Sequence, residues 1–119
     1  MGKRVLIADD HERVRTMVCS MFTAQGFEVS YAEDGAEAVS KAQELLPNLV
    51  VLDLAMPVMN GLEAARSLKA LMPSVPLLMF TNNSNVILEK EAKAAGIAAV
   101  ISKSDSPQLL VQAWALLGT

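Results

Sequence analysis

The stretch LVVLDLAMPVMNG, residues 49–61, decides how the rest of the chain is read. Leu49-Val50-Val51-Leu52 is a short continuous apolar run, the mark of a strand buried on both faces. It stops at Asp53. The segment Met56 to Gly61 then turns the chain into a helix that carries Leu62, Ala65, Leu68 and Leu71 and stops at Pro73. The same strand–turn–helix pattern extends in both directions. Upstream, Arg4 to Ala8 is a second buried-strand run, ending at Asp9-Asp10. Val14, Val18, Met21 and Phe22 then recur at helical spacing between His11 and Gln25, and Gly26 ends that helix. Phe27 to Tyr31 alternates apolar and polar, which predicts a more exposed strand. Asp34-Gly35 opens a helix lined by Ala38, Val39, Ala42, Leu45 and Leu46 and closed by Pro47. Downstream, Pro76 to Phe80 reads as a strand ending at Thr81. Asn82 to Asn85 is rich in capping residues and precedes a helix to Ala95, stopped by Gly96. Ala98 to Ile101 is a weaker strand ending near Lys103. Ser106-Pro107 reads as the N-cap and first position of a last helix through Leu117.

Five strands thus alternate with five helices. Regular alternation of this kind predicts an α/β protein: a doubly wound parallel sheet with helices on both faces. The 119 residues suit one domain, 1–119, with no linker or repeat dividing it. Apolar residues make up 52% and charged residues 19%, a composition that folds compactly. The net charge of -3 gives no basic face for nucleic acid. The single cysteine, Cys19, excludes an intrachain disulfide and fits a reducing compartment; it reads as a partly buried helix residue. The apolar run after MGKR is too short for a secretory signal, and no stretch is long enough to span a bilayer. A cytoplasmic protein is the expectation. Most of the seven methionines read as core filler.

The aspartates carry the functional information. There are five, and Asp9, Asp10 and Asp53 all stand at the ends of buried strands. In open α/β sheets ligands bind outside the carboxyl ends of the strands. If the first and third strands are neighbours, three carboxylates meet at that edge and raise one another's pKa values. A cation relieves this, and an all-oxygen donor set points to a hard ion such as Mg2+. Thr81 and Lys103 end the fourth and fifth strands and add a hydroxyl and an ammonium at the same edge. The set suits phosphoryl transfer, with the Asp53 carboxylate as nucleophile and positive charge set against the equatorial oxygens. His11 reads as an exposed residue of the first helical turn, because a hard-ion site needs no imidazole.

The residues Asp9-Asp10 after VLIA, Asp53 within VVLDLAMPVMNG, Thr81 within MFTN and Lys103 within VISKS together resemble the receiver domain of bacterial two-component response regulators. The resemblance covers essentially the whole chain. It implies the flavodoxin-like fold with strand order 2-1-3-4-5. It implies that Asp53 accepts a phosphoryl group from a phosphohistidine on a sensor kinase or phosphotransfer protein. Asp10, Asp53 and the backbone carbonyl of Ala55 would bind Mg2+, with Asp9 acting mainly through water. Thr81 and Lys103 would bind the phosphoryl oxygens. The domain would catalyse only its own phosphorylation and slow dephosphorylation, rather than turn over external substrates.

Several positions depart from the family pattern. Val100 stands where receivers usually carry Tyr or Phe, which leaves an aromatic rotamer switch without its side chain. Ser104 replaces the usual proline after the lysine, and Asn82 replaces a small residue after the threonine. Ala55 and Asn83 stand where side chains flank the phosphoryl group, so an altered phosphoryl lifetime is expected. Val100 and Asn82 sustain an alternative reading, a receiver-like interaction module that is not phosphorylated. An aspartyl phosphohydrolase of the haloacid-dehalogenase type needs an Asp at position 55, where Ala55 stands. A flavin site lacks a phosphate-cradling loop after the first strand. The last helix is apolar nearly all round, and Leu110, Trp114 and Leu117 form a second stripe. That stripe is either a homodimer or partner surface or simply part of the core.

Overall fold

The computed structural model describes residues 2–82 and 84–118. Strands β1 (Arg4–Ala8), β2 (Glu28–Ala32), β3 (Leu49–Leu52), β4 (Leu77–Thr81) and β5 (Ala99–Ser102) alternate with helices α1 (Glu12–Ala24), α2 (Gly35–Leu45), α3 (Gly61–Leu71), α4 (Val86–Ala94) and α5 (Ser106–Leu117). The strands form one parallel sheet in the order β2-β1-β3-β4-β5, as expected. The chain winds outward from β1 to β2 on one side and through β3, β4 and β5 on the other. The crevice where the winding reverses lies above the carboxyl ends of β1 and β3.

The central strands are apolar throughout because both faces are covered. Side chains alternate across a strand, so each run splits between two cores. Leu6, Val50, Leu52, Leu77 and Met79 pack with Ala38, Ala42, Ala65, Leu68, Leu88 and Ala92 of α2, α3 and α4. Val5, Ile7, Leu49, Val51, Leu78 and Phe80 pack with Val18 and Phe22 of α1 and Leu109 and Ala113 of α5. Edge strand β2 is more exposed than the central strands, as expected, but Tyr31 is itself exposed although alternation puts it in phase with buried Phe27. No helix among the described residues is long and apolar enough to cross a membrane.

Three local expectations change. Leu46 does not line α2; it is the C-cap, left-handed at φ 51° and 63% exposed. Pro47 disfavours helical backbone in the residue before it. Leu71 closes α3 but is exposed. A series at every third residue drifts about 60° per step around a helix, so by Leu71 the stripe has rotated away from Leu62. Asp105, not Ser106, occupies the N-cap of α5, without a side-chain cap bond, and Pro107 sits in its first turn. The expectation for Asn83 lies outside the described residues.

Candidate functional site

Strand register assembles the site. Ala8 pairs with Leu52, so the residues that follow them, Asp9 and Asp53, stand side by side. The Asp53 amide donates to the Ala8 carbonyl at 2.9 Å, and the Asp9 amide donates to the Ala32 carbonyl at 3.1 Å. Thr81 pairs with Ser102, and the next amide, of Lys103, donates to the Thr81 carbonyl at 3.0 Å. The lysine side chain then reaches across the strand ends. Its Nζ lies 2.8 Å from Asp9 Oδ2 and 3.2 Å from Asp53 Oδ2. Asp53 Oδ1 accepts the Leu54 amide at 2.8 Å. The Asp10 side chain, 34% exposed, is the more open face of the cluster. Among the described residues, the buried polar or charged ones are Asp9, Arg15, Asp53 and Thr81, and all belong to this edge.

The loop after β3 is held by tight packing. Asn60 caps α3 in a reciprocal capping box with Glu63. The Gly61 amide donates to the Leu54 carbonyl at 2.9 Å, and a Cβ at Gly61 would collide with the Asp53 carbonyl oxygen. Only glycine lets the start of α3 lie against the backbone of Asp53. Between them, Val58 has φ 68°, and Met59 donates to the Pro57 carbonyl at 2.7 Å. That is a γ-turn of the rare positive-φ kind, held by a β-branched residue that is 83% exposed.

Burial and the charge of Asp9 push the Asp53 carboxyl above its ordinary range. Lys103 and the Leu54 amide pull it back, but one ammonium is shared between two carboxylates and does not prevail. For Lys103, burial acts to lower the pKa, yet the hydrogen bond to Asp9 and the charges of both aspartates raise it on balance. The lysine is therefore a fixed cation, and the edge keeps surplus negative charge. Carboxylate oxygens of Asp9, Asp10 and Asp53 and the imidazole of His11 all offer donor atoms within 4.8 Å of one another. Three hard oxygen donors with surplus negative charge fit a hard divalent cation.

The site residues expected from the sequence come together at this edge, with Ala55 exposed in the loop two residues after Asp53. His11 is exposed as expected, but it stands at the N-cap of α1, and its ring turns onto the aspartates. Nδ1 lies 3.3 Å from Asp9 Oδ1 and 3.2 Å from Asp10 Oδ1. Sequence reasoning passed over Arg15, whose guanidinium donates to the Asp9 carbonyl at 3.0 Å, lies over the Tyr31 ring at 4.8 Å and faces Glu33 at 3.7 Å. The available signal was its phase: Arg15 shares the inward face of α1 with Val18 and Phe22. Asn82 is exposed beside Thr81, and Val100 is half-buried against the α2–α4 core. Leu110, Trp114 and Leu117 are half-buried against the other core, with Trp114 4.9 Å from the Phe27 ring. The more exposed apolar residues of α5 are Val111 and Leu116.

Fold and site together define a doubly wound α/β domain with a lysine-bridged acidic centre at its switch point. Comparison with known proteins gives the family. The response regulator receiver domain family matches residues 5–115. The chemotaxis protein CheY of Thermotoga maritima is 37% identical over 114 residues, 95% of either chain. The transcriptional activator protein ExaE of Pseudomonas putida is 32% identical over 92% of this chain, which spans 52% of that protein. A chain of the CheX-CheY-BeF3-Mg+2 complex of Borrelia burgdorferi superposes with a TM-score of 0.91 at 26% identity, covering 97% of this chain and 89% of that one. The chain belongs to the response regulator receiver domain family of two-component signalling.

Proposed function

We propose that this receiver domain, read as a single unit over residues 1–119, is a Mg2+-dependent phosphoacceptor switch with Asp53 as the phosphorylated residue. The carrying observation is the lysine bridge: Lys103 Nζ within 3.2 Å of both buried carboxylates, Asp9 and Asp53. An Asp53 oxygen attacks the phosphorus of a phosphohistidine donor. The new P–O bond makes an acyl phosphate, the P–N bond breaks, and its electron pair stays on the donor imidazole. The donor is a histidine kinase or a histidine phosphotransfer protein. Lys103 enters as a fixed ammonium and sets its charge against a phosphoryl oxygen. The Thr81 hydroxyl, at the end of β4, hydrogen-bonds another once transfer is complete. Asp10 and Asp53, with the Ala55 carbonyl, would hold Mg2+ directly, and Asp9 would act mainly through water. Bound there, the cation offsets negative charge on the carboxylates and on the entering phosphoryl group.

The test is intact-protein mass after incubation with acetyl phosphate, with and without Mg2+, beside Asp53→Asn. A single phosphoryl adduct that needs both Mg2+ and Asp53 is the expected result. Absence of the adduct, together with failure to bind a beryllofluoride mimic, would leave the unphosphorylated interaction module as the reading.

A further inference from the structure

We propose that the Asn60–Gly61 peptide is a site of spontaneous deamidation that the capping box of α3 holds latent, and that its isoaspartyl product detaches the start of α3 from the Asp53 backbone. The proposal does not depend on phosphoryl transfer.

The reacting atoms are neighbours in the chain. The Gly61 amide nitrogen gives its proton to solvent base and attacks Cγ of Asn60. An N–Cγ bond forms, the Cγ–Nδ2 bond breaks, and the side-chain nitrogen leaves as ammonia. Water then opens the succinimide ring at one of its two carbonyls. Addition at Cγ gives an ordinary aspartate. Addition at the main-chain carbonyl gives isoaspartate, with the chain routed through Cβ. Glycine in second place favours ring closure, because it has no Cβ to crowd the attacking nitrogen and turns freely about its backbone bonds.

In the folded protein each group that must move is held. Asn60 Oδ1 accepts the Glu63 amide at 2.9 Å, and Glu63 Oε1 accepts the Asn60 amide at 3.0 Å. The Gly61 amide, which is the nucleophile, donates to the Leu54 carbonyl at 2.9 Å. Ring closure therefore needs the Asn60 side chain turned off the helix and the Gly61 amide released together. Local opening of the first turn of α3 supplies both without global unfolding. Asn60 is half-buried and the preceding Pro57 and Val58 are exposed, so water and base reach the opened turn. Val58, at φ 68°, holds an unfavourable backbone conformation that the same opening relaxes.

The two products differ in how they fit. Aspartate is as good an N-cap as asparagine, and its charge is favourable at a helix N-terminus, so α3 keeps its start. Isoaspartate lengthens the main chain by one atom just ahead of Gly61. Gly61 is buried, and a Cβ there would already collide with the Asp53 carbonyl oxygen. The longer chain has no room to keep both the Glu63 bonds and the Gly61 bond to Leu54, so the helix start lifts from the Asp53 backbone.

The protein is aged in mildly alkaline buffer, and conversion at Asn60 is followed by peptide mass mapping. Electron-transfer fragmentation distinguishes isoaspartate from aspartate. Native wild type is compared with wild type unfolded in urea, with Glu63→Ala and with Ile101→Val. Glu63→Ala removes one of the reciprocal cap bonds. Ile101→Val lowers global stability from the core on the other face of the sheet. The unfolded chain should convert fastest and the native protein at least about tenfold more slowly. Glu63→Ala should convert about fivefold faster than native wild type, and Ile101→Val at the wild-type rate. Native wild type converting as fast as the unfolded chain, or Glu63→Ala no faster than Ile101→Val, would overturn the gating role of the cap. An unfolded chain that does not convert would overturn the site itself. The isoaspartyl form is then isolated and its amide exchange recorded. Loss of protection at the Gly61 amide is expected, and a Gly61 amide as protected as in the unaged protein would overturn the detachment of α3.

Discussion

Asp53 sits in a balance that a single substitution tips. Its pKa is raised by burial and by Asp9, so the folded protein holds the proton more tightly than the unfolded chain. Ionised, the group costs stability above its folded-state pKa, and that cost vanishes as pH falls through the raised pKa into the ordinary carboxylate range. Asp53→Asn is expected to stabilise the cation-free protein by about 1 kcal/mol at pH 7. The gap to wild type should close on acidification in urea titrations; an equal gap at both pH values would rule out charge repulsion as its source. Lys103 has the opposite sign. Its raised pKa stabilises the fold fully below the ordinary lysine range and is lost as pH rises through the folded-state value. Lys103→Met leaves two buried carboxylates without their cation and should cost about 3 kcal/mol at neutral pH. Val58 is the third residue at this scale. Its positive φ is unfavourable for a β-branched side chain, and the side chain is exposed, so Val58→Gly should gain about 1 kcal/mol. An unchanged urea midpoint would show that the turn carries no strain. The carboxylates, Thr81 and Lys103 were legible in the sequence because each ends a strand. The orientation of His11 and the inward reach of Arg15 were not, because both depend on where α1 sits over the sheet.

At the level of elements, the loop and helix after β3 form one mechanical unit. The Asn60–Glu63 capping box fixes the start of α3, and Gly61 lets that start lie against the Asp53 carbonyl. Asn60→Ala should cost about 1 kcal/mol by freeing helix donors. Gly61→Ala should cost more, about 2–3 kcal/mol, because the added methyl meets backbone that has no rotamer to yield. Amide exchange would separate the two. The cap variant loosens the first turn of α3, whereas the glycine variant also shifts the Asp53 and Leu54 amides. If Gly61→Ala left those amides unmoved, the coupling between α3 and the Asp53 backbone would be wrong. Helix and strand assignments followed from apolar periodicity, and the errors came at ends. Leu46 and Leu71 satisfy the apolar pattern but fall where the helix has ended or its stripe has rotated. Asp105 displaced Ser106 as the cap because the turn after Lys103 closes early, with the Asp105 amide donating to the Ser102 carbonyl at 2.9 Å.

For the whole molecule, the proposed cation site at the acidic centre would link cation binding to folding. A ligand that binds only the folded state stabilises it by about 2.7 kcal/mol at one hundred times its dissociation constant. Saturating Mg2+ should therefore raise Tm by several degrees in wild type and by much less in Asp10→Asn, measured by thermal unfolding with and without chelator. Equal shifts would place the cation elsewhere. Trp114 is also a question at this scale, since its stripe read equally well as surface or core. The fold seats it against Phe27, so the half-buried face of α5 packs on the core that it shares with α1. The sequence by itself determined the class of fold, the alternation of elements and which residues stand at strand ends, because burial period and turn chemistry are local properties of the chain. The pairing of β1 with β3 was expected only through the family resemblance, and tertiary structure alone decided the registers that place Asp9, Asp53 and Lys103 within one hydrogen-bond network. It also decided that His11 turns back onto the aspartates. These are contacts between residues distant in the chain or across a loop, and they form only when the sheet and its helices dock as a unit.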